Sequence, residues 1–221
     1  MRNSSESRGI FITLEGGDGV GKTTQADALH EWFLESGRTV VRTREPGGTL
    51  LGEQIREIVL HHRGEVTPKA EALLYAADRA QHIATVVRPA LLRGDVVLQD
   101  RYVDSSIAYQ GAGRVLDSAH ILMLSEWATD ELQPDLTILL DLDVSVARAR
   151  LDHSRQRFDR LESEQEEFHD RVRSAYLQRA DEYPHRFLVI DASRPSSEIF
   201  SEIVRTVRQR FGGFLTPPED A

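Results

Sequence analysis

The sequence contains no cysteine. That excludes disulfides, thiolate metal sites and cysteine nucleophiles. Long apolar runs are also missing: none approaches the roughly 20 residues that a helix needs to cross a bilayer. The opening "MRNSSESRG" has no apolar core of the kind an export signal carries. These absences lead us to expect a cytoplasmic protein without a membrane partner. An excess of positive charge is missing too. The formal net charge of -9 argues against a chain built to coat nucleic acid or an anionic membrane. Lysine is scarce, occurring at Lys22 and Lys69 alone, so nearly all positive charge is arginine. The histidines show no metal-ligand spacing. One of the two lysines nevertheless stands inside a glycine-rich turn.

What is present suffices for one large domain: 221 residues, 40% of them hydrophobic. Short apolar runs read as strands at 9–16, 39–43, 95–100, 135–141 and 186–191. Amphipathic stretches lie between and around them at about 22–36, 50–61, 67–93, 117–131, 144–151, 164–182 and 196–211. Strand–helix alternation of this kind predicts an α/β protein, a parallel sheet with helices on both faces. Several strands end in an acidic residue (Glu15, Asp100, Asp141, Asp191), and ligands bind at those carboxyl ends in open α/β sheets. The reading is a single domain over 9–211, with residues 1–8 and 212–221 frayed.

The segment "GGDGVGKT" fits G-x-x-x-x-G-K-[ST] at Gly16, Gly21, Lys22 and Thr23, between an expected strand and an expected helix. Glycines let successive backbone N–H groups turn inward around a phosphate, where a Cβ would block the approach. The following helix offers its N-terminal donors to the same anion. Lys22 adds a point charge and Thr23 a hydroxyl for magnesium. Residues Gly16, Gly17, Asp18, Gly19, Val20, Gly21, Lys22, Thr23 and Thr24 therefore predict binding of a nucleoside triphosphate through its phosphates. The cradle alone fits a GTPase switch, a mechanical ATPase or a small-molecule kinase. No N-K-x-D guanine signature is possible with lysine only at 22 and 69, and the size leaves little room for a motor's added modules.

A kinase also needs an acceptor site. Tyr75 and Arg79 are spaced i, i+4 and share a helical face, which suits a planar base. On spacing alone, a partly buried tyrosine beside a surface arginine is the better account. Asp100 closes an apolar strand, where a carboxylate either orients magnesium or caps a helix, and Arg101 beside it can clamp a phosphate. Arg155, Arg157 and Arg160 lie in a charged segment. They form either i, i+4 surface pairs (Arg155 with Asp159, Arg160 with Glu164) or the cations of a lid.

Taken together, "FITLEGGDGVGKTTQ", "TREPGGT", "LLYAADRAQH", "DRYVDSSIAYQGAGR" and the arginine-rich segment resemble the thymidylate kinases, which convert dTMP to dTDP with ATP. The resemblance implies a P-loop NTPase three-layer fold with a five-stranded parallel sheet of order 2-3-1-4-5 and a lid at about 152–164. It implies Mg2+ held by Thr23 and Asp100, ATP and dTMP as substrates, and a homodimer formed through helices beside the sheet. For the acceptor it implies Asp18 at the 3′-hydroxyl, Tyr75 stacked on the base and Arg79 hydrogen-bonded to it. Ser105 and Ser106 become polar contacts, Tyr109 crowds the 2′ position, and Arg101 and Arg44 serve the phosphate. It also implies a cis bond between Glu45 and Pro46. Gly19 stands where some members carry a loop arginine, so this chain resembles the subtype whose catalytic arginines come from the lid: Arg155, Arg157 or Arg160. Lys22, Asp18, Asp100 and Arg101 complete the expected catalytic group.

Overall fold

The computed structural model describes residues 8–154 and 158–215. Five strands, β1 (Ile10–Glu15), β2 (Val40–Arg44), β3 (Val96–Asp100), β4 (Leu136–Asp141) and β5 (Phe187–Asp191), form one parallel sheet of order β2-β3-β1-β4-β5. β1 lies at the centre and all of its residues are buried. This explains a strand that is apolar at nearly every position, since both of its faces meet helices.

The helices are α1 (Lys22–Glu35), α2 (Leu50–His61), α3 (Pro68–His82), α4 (Arg88–Leu92), α5 (Val103–Ser106), α6 (Ser118–Thr129), α7 (Val144–Ser154), α8 (Glu166–Glu182) and α9 (Ser196–Leu215). Local chemistry sets several starts. The Thr49 side chain accepts from Gly52 N at the head of α2, and Asp117 accepts from Ala119 N at the head of α6. The expected long 67–93 helix is interrupted by a π-helical turn at Ile83–Val87 before α4. Pro89 has no N–H to continue the α-ladder, and the widened turn absorbs the missing bond.

The fold departs from the sequence reading in two further places. A second π-helical turn, Ile107–Gly113, continues α5, so a helical segment stands where none was expected. Glycines and paired serines hide any helical period over 103–113, yet the segment carries three of the expected site residues, Ser105, Ser106 and Tyr109. In addition, α9 runs on to Leu215 through a kink at Phe211, further than the expected end at 211. Phe214 there packs on the core and under the Arg38 guanidinium, 4.6 Å from its ring centroid.

α1 and α9 cover one face of the sheet through Leu29, Phe33, Ile199, Ile203 and Val207. The other face is covered by α2, α3, α8 and the 103–113 segment. The carboxyl ends of β1, β2 and β3 are left open between these layers. Among the described residues no helix is long and apolar enough to cross a membrane.

Candidate active site

The turn between β1 and α1 lies hard against its surroundings. Gly16 has φ +129°, and a Cβ there would stand 2.4 Å from the Leu140 carbonyl oxygen. Gly19 has φ +80°, and its Cβ would stand 2.6 Å from the Ala147 carbonyl oxygen. These glycines are required by backbone conformation and by close approach together. Gly16→Ala is therefore expected to lower stability by about 1–3 kcal/mol and to weaken triphosphate binding. An unchanged melting curve would contradict this packing. Inside the turn, buried Lys22 donates from Nζ to the carbonyls of Gly16 (3.1 Å) and Gly17 (2.6 Å). Burial and the Arg101 charge lower its pKa, opposed by Asp100, Asp18 and Glu15.

Arg101 follows β3 with φ 68°, a left-handed conformation that costs an arginine backbone strain. Its Nη2 donates to Asp18 Oδ1 (2.5 Å) and to the Tyr109 hydroxyl (3.1 Å). Its Nη1 donates to Gly16 O (3.1 Å), Ser105 Oγ (3.3 Å) and the Tyr176 hydroxyl (3.2 Å). The Tyr109 hydroxyl donates in turn to Asp18 Oδ2 at 3.1 Å. Burial alone would raise the Asp18 carboxyl, but the charges of Arg101 and Lys22 overcome it and hold the group below the usual carboxylate range.

Glu15 lies beneath this cluster, fully buried. It accepts from Tyr102 N (2.7 Å), Ser105 Oγ (2.6 Å) and the Tyr176 hydroxyl (3.0 Å). Burial, with Asp104 adding to it, pushes its pKa from 4.5 up to about 7. The folded chain thus holds a proton that the unfolded chain releases near pH 4.5, and the associated stability is lost as pH rises through about 7. Glu15→Gln should flatten the fall in melting temperature between pH 5 and 8, a difference of at most about 3 kcal/mol. Parallel curves for the two proteins would contradict this.

Asp18, Lys22, Arg101, Ser105 and Tyr109 line a cleft of about 480 Å³ at the carboxyl ends of β1–β3. The cleft brings together Asp18, Gly19, Gly21, Lys22, Thr23, Arg44, Tyr75, Arg79, Asp100, Arg101, Ser105, Ser106 and Tyr109, most of the residues that the sequence singled out. Tyr75 and Arg79 do share a face of α3, but Arg79 is no surface residue: only 2% of it is exposed. It donates to Glu45 Oε2 (2.7 Å), Ser125 Oγ (3.2 Å), Tyr102 O (3.3 Å) and Ser106 Oγ (2.9 Å). Arg44 meets both Glu53 carboxylate oxygens at 3.2 Å, and the bond between Glu45 and Pro46 is cis. Gly16, Gly17 and Val20 line a second cavity of about 470 Å³ behind the turn, between β4, α7 and α8, and Asp18 borders both. Thr24 is exposed on the first turn of α1.

The cleft also holds residues that the sequence reading passed over: Glu45, Arg56, Gln110, Arg150, Asp159 and Glu162. Arg56 donates to Pro46 O (2.9 Å), Gln110 to Glu71 Oε1 (2.9 Å) and Arg150 to Ala192 O (3.1 Å). Gln110 adjoins Tyr109 in the quoted "DRYVDSSIAYQGAGR" and could have been found there. Glu45 likewise lies in the quoted "TREPGGT" and Asp159 in the arginine-rich segment; Arg56 and Arg150 carry no local signal.

Arg155 and Arg157 lie outside the described residues. Arg160 is described, and it is not brought to the cleft. It ion-pairs with fully buried Glu71 of α3 and donates to Val59 O (2.9 Å), while Arg114 holds both Glu71 and Glu164. Arg160 here fastens the C-terminal end of the charged segment to α2 and α3.

A divalent cation fits the donor set. Asp100 Oδ1 is buried without a hydrogen-bond partner among the described residues, and Thr23 lines the same cleft. Among the described residues, no group of three or more histidine, cysteine, aspartate or glutamate side chains could hold a metal alone. A cation completed by substrate phosphates and water requires no such cage.

Comparison with known proteins agrees with this geometry. The family model described as thymidylate kinase matches residues 14–203. Thymidylate kinase of Leifsonia xyli subsp. xyli is 70% identical over 195 residues, 88% of this chain and 92% of the relative. That of Bifidobacterium longum subsp. infantis is 51% identical over 199 residues, 88% of this chain and 84% of the relative. The crystal structure of thymidylate kinase from Ehrlichia chaffeensis superposes with a TM-score of 0.73 at 34% identity, covering 90% of this chain and 99% of that one. With a family model matched over most of its length and relatives up to 70% identical, this chain belongs to the thymidylate kinase family.

Proposed function

We propose that this chain transfers the γ-phosphoryl group of ATP to dTMP, giving dTDP and ADP. The observation that carries this reading is the Asp18–Arg101–Tyr109 cluster. It joins the phosphate turn to a cleft lined by Tyr75 and Arg79 on one helical face. The acceptor phosphate is an anion at neutral pH, so transfer needs positioning and charge neutralisation rather than a strong base. Bound Mg2+, held by Thr23, Asp100 and the substrate phosphates, would supply charge neutralisation at the transferring group. On the protein side, Lys22 exchanges the carbonyls of Gly16 and Gly17 for donor phosphate oxygens. Arg101, with Arg44 and Arg56 at the mouth, holds the acceptor phosphate. Tyr75 and Arg79 take the base, Ser106 supports Arg79, and Asp18 and Tyr109 take the sugar. Arg155 and Arg157 are the lid cations assigned to the phosphoryl group, Arg150 adds a cation to the cleft, and Arg160 anchors the lid.

Exposed Leu73 on α3 and Met123 and Trp127 on the adjoining α6 support a homodimer through these helices. The lack of cysteine and of an apolar spanning helix among the described residues supports a cytoplasmic location. Label from the γ-position of ATP should appear in dTDP. Tyr109→Ala should narrow the gap between dTMP and its ribose counterpart. Label released only as inorganic phosphate would favour a nucleotide switch instead.

A further inference from the structure

His82 is fully buried at the end of α3, and neither the phosphate chemistry nor the acceptor contacts use it. Three residues of the "TREPGGT" loop close on its ring. Thr43 Oγ1 lies 2.6 Å from Nε2, and Glu45 Oε1 lies 3.1 Å from Nδ1. A Cβ on Gly48 would stand 2.7 Å from Nε2, so the loop is packed directly on the imidazole. The other Glu45 oxygen accepts from Arg79 Nε at 2.7 Å, and Glu45 is itself 3% exposed. Burial would raise the Glu45 carboxyl, but Arg79 and His82 together keep it below its ordinary value and ionised.

An ionised carboxylate only accepts, so His82 Nδ1 must carry a hydrogen. Nε2 shares a hydrogen bond with the Thr43 hydroxyl, which can donate or accept. Arg79 has five N–H groups, and four are used by Glu45, Ser125, Tyr102 and Ser106. The remaining one, on Nη1, has no protein partner among the described residues, and Arg79 lines the cleft.

From these contacts we infer that His82 is a positioning residue for the acceptor: it holds Glu45, which fixes Arg79 Nε and so aims the free Nη1 N–H. Thr43 secures the ring from behind. This rests on the reading that Arg79 meets the acceptor. A ring that merely filled space would affect stability and leave acceptor affinity alone. A relay changes acceptor affinity with little effect on ATP.

The test uses the full chain, with dTMP affinity read by calorimetry and kcat and the KM for ATP by steady-state assay. His82→Ala should weaken dTMP binding roughly tenfold, the scale of one hydrogen bond to a charged group, while the KM for ATP stays within about twofold. In His82→Asn the amide N–H stands in for Nδ1–H and should restore most of that loss. Adding His82→Ala to Glu45→Gln should cost little more than Glu45→Gln alone, because the two act in series. If His82→Ala fails to fold, Thr43→Val probes the same chain more gently and should weaken dTMP binding about threefold. A melting temperature that falls while dTMP affinity stays unchanged would overturn the relay. So would an Asn variant no better than Ala, or fully additive losses. Arg79→Ala with unchanged dTMP affinity would overturn the acceptor reading itself, and the relay with it.

Discussion

Lys22→Ala is expected to lower turnover by about 10²–10³-fold, the scale for losing one preorganised donor at a site of developing charge, while the protein stays folded. The physical basis is the unusual state of this ammonium. It is 7% exposed and satisfied by two carbonyls of its own turn, which triphosphate oxygens can replace. Removing it frees those carbonyls to meet water in the open cleft, so the structural cost is small. The loss should fall on kcat, since the charge on the phosphoryl oxygens builds toward the transition state. Circular dichroism and a melting curve establish the fold, and steady-state kinetics give the effect. A folded variant with near-normal turnover would remove Lys22 from the mechanism.

Arg101→Ala should be damaging in two ways at once. Its guanidinium serves Asp18, Tyr109, Ser105, Tyr176 and the Gly16 carbonyl. Deletion strands a largely buried Asp18 carboxylate, a change that typically costs about 3–5 kcal/mol. Turnover with dTMP should fall by about 10³-fold as the acceptor phosphate loses its clamp. Arg101→Lys should recover little of either, because a compact ammonium cannot reach partners spread over both guanidinium edges. Asp18 also ties the acceptor side to the phosphate turn, so the KM for ATP is expected to rise in both variants. An Arg101→Ala protein with ordinary stability and ordinary dTMP turnover would contradict the central place given to this cluster.

The parts of the site legible in the sequence are those whose geometry is local. Phosphate binding needs glycines, a lysine and a helix start within a few residues, and Gly16 to Thr23 stand together in the chain as they do in space. The parallel sheet was legible for a similar reason, since strands buried on both faces lose their polar alternation. Arg79 shows the limit. Its spacing from Tyr75 predicted a shared face, but only the fold brings Glu45, Ser125 and Ser106 around it and turns an apparent surface cation into a buried one.

Arg160 makes the same point more sharply. The i, i+4 rule offered Glu164 as its partner, yet Glu164 pairs with Arg114, and Arg160 pairs with Glu71, 89 positions away in the chain. Charge periodicity sees only neighbours on one helix and is silent about pairs made by packing. The 103–113 segment was missed because glycine and serine mask a helical period. Arg150 comes from a part of the chain distant from Glu45 and Arg56 and joins them in the cleft only through the sheet order.

On the proposed reading, one cleft holds both a phosphate-transfer turn and a pocket for a deoxyribonucleotide bearing a thymine base. The most direct test is ADP release from Mg-ATP against a panel of dTMP, dUMP, dCMP, dGMP, UMP and thymidine. Strong preference for dTMP is expected, with UMP and thymidine inert, if Tyr109 excludes a 2′-hydroxyl and Arg101 requires a phosphate. Preference for another acceptor would overturn the roles of Tyr75, Arg79 and Tyr109, and release of ADP indifferent to every acceptor would overturn phosphoryl transfer itself.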